Sequence, residues 1–275
     1  MYVDAPNQVI EAGGGVRYAD RRSGVAGLPP PPLLLLQDED EDDGRRTTDD
    51  ERTEDMRVVI AGGHGQVALR LERLLAERGD TAVGLVRRPE QTGDVRDAGA
   101  VPVLCDLESA SVAEVAAHLR DADAVVFAAG AGPGSGAERK DTVDRGAAVL
   151  VADAALAART GRFLMISGKG VDGSPPAGTD PVFAAYLRAK AEADDHVRAH
   201  ASLGWTILRP GRLTDEPGTG HVTLGPSTPE GSVARDDVAA VLLALLDEPR
   251  TAGRTLDLIA GGTPVTAAVR TAADG

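Results

Sequence analysis

From Met56 onward, short apolar runs alternate with longer stretches in which apolar residues recur every three or four positions. The runs predict strands over 57–61, 81–86, 101–104, 124–128, 162–166, 206–208 and 255–259. The stretches between them predict helices over 66–78, 111–119, 138–159, 183–201 and 235–246. In the first helix Val67, Leu71, Leu74 and Leu75 form one apolar face, and Gly79 stands where a residue just past the helix end is expected. Such alternation requires an α/β fold, a parallel sheet doubly wound with helices on both faces. Ligands on such sheets bind beyond the carboxyl ends of the strands, near the point where strand order reverses. Candidate functional residues are therefore sought just after strands.

The first such place is the run Gly62, Gly63, His64, Gly65, Gln66, Val67 and Ala68, between the first strand and the first helix. Glycines let a backbone approach a pyrophosphate, and the N–H groups and positive dipole end of the following helix face its charge. Ala68 stands where a third glycine often sits and adds only a methyl. A triphosphate P-loop is disfavoured because no Gly-Lys-Ser/Thr follows the turn. After the second strand come Arg87 and Arg88, where an NAD-binding protein usually carries an acidic residue for the ribose 2′-hydroxyl. Two guanidinium groups suit a 2′-phosphate instead, so NADP is expected over NAD. Asp106 follows the third strand as a candidate acceptor for an adenine amino group, and Ala128, Ala129 and Gly130 follow the fourth, small enough for a flat ring to lie against the backbone.

Composition narrows the class. Aromatic residues make up only 3% of the 275 residues and hydrophobic ones 42%, so the core is expected to be built of Ala, Val and Leu. The net charge is −14, and the first 55 residues, with 14 acidic and 6 basic side chains, carry more than half of it. Such a chain is repelled by nucleic-acid phosphates and by anionic membranes, and neither is expected as a partner. Residues 1–55, with Pro29 to Pro32, Leu33 to Leu36 and the acidic run Asp38 to Asp43, show no periodicity and read as a disordered extension. The leucines are too few for a membrane span, and no secretory signal pattern is present. The functional domain is expected to begin at Met56, with translation itself starting there, and to run to 275.

Cys105 is the only cysteine, so an internal disulfide is excluded and a reducing, cytoplasmic setting is expected. At a strand end it reads as a buried, inert thiol. His196 and His200 form an i, i+4 pair without the glutamate of a zinc protease. They read as a solvated helix face, and no metal site is expected.

Further along, Tyr186 and Lys190 lie one turn apart on a predicted helix. A nearby ammonium stabilises a phenolate and would lower the tyrosine pKa toward neutrality, as a general acid/base facing a carbonyl or alcohol requires. With the glycine turn, Phe127 to Gly130, Val143 to Ala147, Ser167, this Tyr-x-x-x-Lys pair and Leu208 to Thr214, the chain from Met56 to Ile259 resembles the short-chain dehydrogenase/reductase superfamily. It is most similar to the superfamily's atypical single-domain members, of the NAD-dependent epimerase/dehydratase-like or NmrA-like type. The resemblance implies a Rossmann-type single domain with a small C-terminal substrate region, formed by 167–181 and 211–232. It further implies that Tyr186 is the general acid/base, that Lys190 tunes it and holds the nicotinamide ribose, and that Ser167 orients the substrate oxygen. Asp144 stands where many relatives have a catalytic asparagine, and Gly168 where many have a second serine. Pro210 and Gly211 are implied to lie near the nicotinamide. The expected activity is that of an NADP-dependent oxidoreductase or epimerase-like enzyme on a small carbonyl or alcohol compound. A non-catalytic NADP-binding sensor acting through a protein partner is the alternative.

Overall fold

The computed structural model describes residues 55–275 apart from Pro133, Gly173, Ser174, Pro176 and Ala177. The expected disordered extension therefore lies outside the described residues, apart from its last residue. β1 (Arg57–Ala61), α1 (Gln66–Arg78), β2 (Thr81–Val86), α2 (Thr92–Asp97), β3 (Val101–Leu104), α3 (Val112–His118) and β4 (Ala124–Phe127) form the first half of the fold. In the second half, α4 (Ala137–Arg139) leads through a π-helical stretch, Lys140–Ala147, into α5 (Ala148–Ala158) and β5 (Phe163–Ile166). Then come α6 (Pro181–Arg198), β6 (Trp205–Pro210), β7 (Arg212–Thr214), β8 (His221–Gly225), β9 (Ser232–Ala234), α7 (Arg235–Leu246), β10 (Arg254–Ala260), β11 (Thr263–Pro264) and α8 (Val265–Asp274).

Nine strands make one sheet in the order β11-β8-β10-β6-β5-β4-β1-β2-β3, and seven of them, from β10 to β3, run parallel. β8 joins β10 antiparallel, β11 joins β8 antiparallel, and β7 and β9 form a separate two-stranded parallel pair. This is the doubly wound α/β sheet of the Rossmann type. Strand order reverses between β1 and β4, so the carboxyl ends of those two strands open the crevice.

Alternation along the central strands sends residues to two separate cores. Val58 and Ile60 of β1, with Ala124 and Val126 of β4, pack beneath α1, α7 and α8. Val59 and Ala61, with Val125 and Phe127, pack beneath α3, α5 and α6. A strand covered on both faces has no polar positions, which is why β1 reads as an unbroken apolar run. Leu71 and Leu75 of α1 are wholly buried, each stabilising the fold by roughly 1.5–3 kcal/mol. α1 ends where its sequence suggests, with Gly79 at a φ of 94°.

Boundaries shift where capping decides them. α6 starts at Pro181 because Asp180 accepts hydrogen bonds from the N–H groups of Val182 (3.0 Å) and Phe183 (2.9 Å), with proline at the first helical position. Ser111 and Glu114 make a capping box at the start of α3. The helix expected over 138–159 is not one α-helix, since its first part is π-helical. The π-helical stretch is under two turns long, too short for apolar spacing to distinguish i→i+5 from i→i+4 bonding. The stretch 211–232, expected as part of the substrate region, contains β7 and β8 and ends on the first residue of β9. These strands are short and satisfy their backbone only by pairing across the chain. The C-terminal half of α6 lies on α5, where His196 and His200 are half-buried beside Asp153 and do not form the free solvated face expected of them.

One polar residue interrupts the α1 core. Glu72 is wholly buried, and neither carboxylate oxygen has a hydrogen-bond partner among the described residues. Burial pushes its pKa up to about 8, opposed only weakly by Arg73, so the group is protonated at neutral pH. The folded state therefore holds a proton that the unfolded chain releases above about 4.5, the ordinary value for a glutamate. Stability is accordingly expected to fall as pH rises between about 4.5 and about 8, and to level off above that. In denaturant titrations, Glu72→Gln should flatten this slope and exceed the wild-type stability by on the order of 3 kcal/mol at alkaline pH. A wild-type slope unchanged by the substitution would refute the assignment.

Candidate functional site

The turn after β1 is built by contact. Gly62 has a φ of +86°, and a Cβ there would lie 2.6 Å from Ala129 Cα. A Cβ on Gly63 would lie 2.6 Å from Gly84 Cα, and the Gly63 N–H donates to Leu85 O at 3.0 Å. The two glycines thus press the turn against the ends of β4 and β2. The Gly65 N–H closes the turn onto Gly62 O at 2.8 Å, and Gly65 caps α1 in extended conformation without a side-chain cap. The first i→i−4 bond of the helix comes from the Leu69 N–H, so the N–H groups of Gln66, Val67 and Ala68 have no intrahelical carbonyl partner. No acidic residue stands in the first turn of α1. Exposed N–H groups, a positive helix end and room where side chains would clash together fit a pyrophosphate.

A cleft of about 270 Å³ opens above this turn at the reversal of strand order. Gly62, His64, Gly65, Arg87, Asp106, Ala128, Ala129 and Gly130 all line it, as expected from sequence. Gly63, Gln66 and Val67 do not: Gly63 and Val67 are buried beneath the turn and Gln66 faces outward. Arg88 is exposed and does not line the cleft, so of the two arginines only Arg87 borders it. The Arg87 guanidinium lies 3.2 Å from Glu108, which also accepts from Arg139 at 2.9 Å and from Thr142 at 2.9 Å. Glu108 and Arg139 were not legible as site residues, because only folding brings the β3 and β4 loops together. Asp106 accepts from the Glu108 N–H at 3.1 Å and shapes that loop. Cys105 also lines the cleft, and burial together with Asp106 and Glu114 keeps its thiol protonated.

A second cleft, of about 290 Å³, adjoins the N-terminal end of α6. Tyr186 and Phe183 line it with stacked rings 5.8 Å apart, and Lys140 Nζ stands 5.3 Å from the Tyr186 ring centre. Lys140 is a site residue that sequence reading passed over, although its i, i+4 relation to Asp144 was visible. The π-helical stretch turns Asp144 inward, where its carboxylate lies 3.5 Å from Lys190 and accepts from the Ala131 N–H at 3.4 Å. Lys190 is buried and donates to Ile166 O at 3.1 Å. Burial lowers its pKa, while Asp144 and Asp194 work in the opposite direction.

One expectation about this region is corrected. The Tyr186 pKa is not lowered toward neutrality: burial, with the charges of Asp144 and Asp194, pushes it up to about 12. Lys190 is engaged with Asp144 and a backbone carbonyl, so its charge is not spent on the phenol. Ser167 is buried and sits by Asp194, and its hydroxyl has no hydrogen-bond partner among the described residues. The Tyr186 hydroxyl instead abuts Gly168, where a Cβ would lie 2.5 Å from the phenol oxygen. A serine at 168 would occupy the space this hydroxyl now fills.

Asp194 anchors a further buried group. It accepts from Arg209 Nε at 2.9 Å, and Arg209 also binds Asp172, which stands on the segment after β5. Pro210 and Gly211 follow directly at the carboxyl end of β6, with the Gly211 N–H donating to Leu258 O at 2.8 Å. Neither lines either cleft.

Comparison with known proteins agrees with this architecture. Residues 62–249 match the sequence profile of the NAD(P)H-binding family. The chain is 36% identical over 216 residues to the Bacillus subtilis (strain 168) protein named uncharacterized sugar epimerase YhfK, covering 78% of this chain and 99% of that one. It is 33% identical over 219 residues to the UPF0659 protein YMR090W of Saccharomyces cerevisiae, covering 76% and 96%. Among solved structures, a Bacillus halodurans protein with the provisional name NAD-dependent epimerase/dehydratase superposes with a TM-score of 0.72 at 36% identity, covering 78% of this chain and 99% of that one. The Lactococcus lactis oxidoreductase ylbE gives 0.69 at 25% identity, covering 80% and 98%.

The turn makes a prediction independent of any ligand. Gly62→Ala forces a side chain into a left-handed conformation and into Ala129, and should cost on the order of 2 kcal/mol or more in chemical denaturation. Gly65→Ala, at an ordinary φ of −67° with its nearest contact at 3.1 Å, should cost clearly less. Equal losses would contradict the geometry.

Proposed function

Because the chain belongs to the NAD(P)H-binding family, we propose that it is an NADP-dependent oxidoreductase acting on a small carbonyl compound in the direction of reduction. The observation that carries the reading is the Gly62–Gly65 turn, pressed onto Ala129 at the reversal of strand order and lined on one side by Arg87. A bound nicotinamide supplies the hydride. This chain's residues hold the dinucleotide, shape the second cleft and keep a proton ready at the Tyr186 hydroxyl. A phenol whose pKa is pushed up to about 12 stays protonated at neutral pH and can donate to a carbonyl oxygen. The same group is a poor base for an alcohol, which favours reduction over oxidation. Lys140, at the face of the Tyr186 ring and on the wall of the second cleft, keeps positive charge on the side where the carbonyl oxygen becomes negative.

NADP is favoured by Arg87, with Arg139 close by across Glu108. A 2′-phosphate would compete with Glu108 for Arg87, exchanging one charge-assisted contact for another. In cofactor fluorescence titrations, Arg87→Ala should weaken NADPH binding roughly tenfold or more and leave NADH binding nearly unchanged. Parallel losses for both cofactors would exclude the role.

The second reading is a non-catalytic sensor that reports cofactor state to a protein partner. It is favoured by Ser167 sitting by Asp194 and by the Tyr186 hydroxyl occupying the space beside Gly168. A panel of small aldehydes and ketones with NADPH separates the two. The enzyme reading expects turnover that is flat from about pH 6 to about pH 9 and falls roughly 100-fold or more in Tyr186→Phe. Tight NADPH binding without oxidation across the panel supports the sensor, and a Tyr186→Phe protein as fast as wild type removes Tyr186 from the chemistry.

A further inference from the structure

At the far end of α6 from Tyr186, two imidazoles converge on one carboxylate. His196 Nε2 lies 2.7 Å from Asp153 Oδ1, and His200 Nε2 lies 3.9 Å from the same oxygen. The ligand atoms of the three residues all lie within 4.8 Å of one another. The two rings meet edge-on, with centroids 4.8 Å apart and planes at 70°, so neither ring covers the nitrogen of the other. All three side chains are about one-third exposed and accessible to an ion, with Asp153 on α5, His196 on the last turn of α6 and His200 just beyond its end.

An ion pair between His196 and Asp153 accounts for two of these residues. It leaves His200 unexplained, since 3.9 Å is too long for a hydrogen bond and no other polar partner of its ring is recorded among the described residues. A shared cation explains all three. Zinc binds imidazole nitrogen and carboxylate oxygen at about 2.0–2.2 Å, and tetrahedral angles then put ligand atoms roughly 3.3 Å apart. The observed separations of 2.7 and 3.9 Å bracket that spacing, so small side-chain rotations would seat an ion. We propose that Asp153, His196 and His200 form a binding site for a divalent transition-metal ion of the zinc class, with water completing the tetrahedron.

The donor set chooses the metal. Two nitrogens and one oxygen suit Zn²⁺, Ni²⁺ or Cu²⁺, while Ca²⁺ and Mg²⁺ require sets made almost wholly of oxygen. The net charge of −14 favours cations at any surface site. His196 follows Tyr186 by ten residues, about 15 Å along a helix axis, so the ion touches no reacting group. Its effect is to clamp the C-terminal end of α6 to α5, and thereby to hold the helix that carries Tyr186 and Lys190.

The test uses the full chain and Zn²⁺, with Co²⁺ as a spectroscopic substitute. The baseline is the double variant His196→Ala/His200→Ala, which subtracts ions held by the acidic N-terminal run. Equilibrium dialysis should find one more Zn²⁺ per chain in wild type than in the baseline, and Zn²⁺ should raise the melting temperature of wild type only. Co²⁺ should give the visible absorption of a tetrahedral site. His200→Ala alone should weaken binding on the order of 100-fold or more, beyond the 10–100-fold typical of losing an outer-shell partner, while leaving the metal-free melting temperature nearly unchanged. Wild type that binds no more Zn²⁺ than the baseline overturns the site, and so does a His200→Ala protein that binds as tightly as wild type.

Discussion

The close approach of Gly62 to Ala129 is the constraint on which the ligand edge of this protein depends. A Cβ at Gly62 would meet the Ala129 backbone at 2.6 Å, so the turn after β1 can lie against the end of β4 only if residue 62 is glycine. That contact sits where strand order reverses, and it brings the N-terminal end of α1 over the crevice with its N–H groups unspent. The walls of the cleft follow from the same placement. Leu85, Val86 and Arg87 come from β2 and its end, Asp106 and Glu108 from the loop after β3, and Ala128 to Ala131 from the loop after β4. Close packing of small residues does here what a built-in binding side chain does elsewhere: it leaves backbone dipoles facing the ligand.

Buried charge organises the other side of the crevice. Asp144 meets Lys190 at 3.5 Å, and Asp194 meets Arg209 at 2.9 Å, in a region where unpaired ions would be costly. These pairs connect the π-helical stretch, α6 and β6 to the segment after β5. They also set the chemistry of Tyr186, because carboxylates near a phenol oppose its ionisation. The lysine that sequence spacing offers as an activator is already engaged, so the tyrosine is held as an acid. The same logic explains Arg162, which is buried near the start of β5 and donates to Gly204 O, Thr206, Leu245 O and Thr251, each at 2.8 Å. Burial pushes its pKa down to about 10, which still leaves it charged, and neutral acceptors take both of its terminal nitrogens while Nε has no hydrogen-bond partner among the described residues.

Much of this fold is legible along the chain. The runs at 57–61, 81–86 and 101–104 and the helices at 66–78 and 235–246 coincide with β1, β2, β3, α1 and α7, because two-sided burial and amphipathic spacing are local properties. α2 was missed because its six residues, Thr92–Asp97, bury only Val95. The strands β7, β8, β9 and β11 were missed because they are short and owe their existence to β10, β8 and each other, whereas α8 was missed although Val265, Ala268, Val269, Ala272 and Ala273 do recur at helical spacing. The turn residues that line the cleft, Gly62, His64 and Gly65, were readable from their place after a strand. Glu108, Arg139 and Lys140 were not, since nothing near them in sequence marks what they meet in space.

Two pairs of residues show where the boundary falls. Tyr186 and Lys190 are one turn apart by helix geometry alone, whereas His200 stands two residues beyond the end of α6, so its meeting with His196 is not set by helix spacing. Spacing on one helix settles which side chains share a face, because 3.6 residues per turn is a property of the backbone. What those side chains face depends on the neighbouring elements. Asp144 draws Lys190 away from the phenol, and Asp153 turns a pair of solvent histidines into a converging set. Local order is written in periodicity, whereas charge state, hydrogen-bond partners and convergence arise from burial and from the packing of helices distant in the chain, which no local pattern encodes.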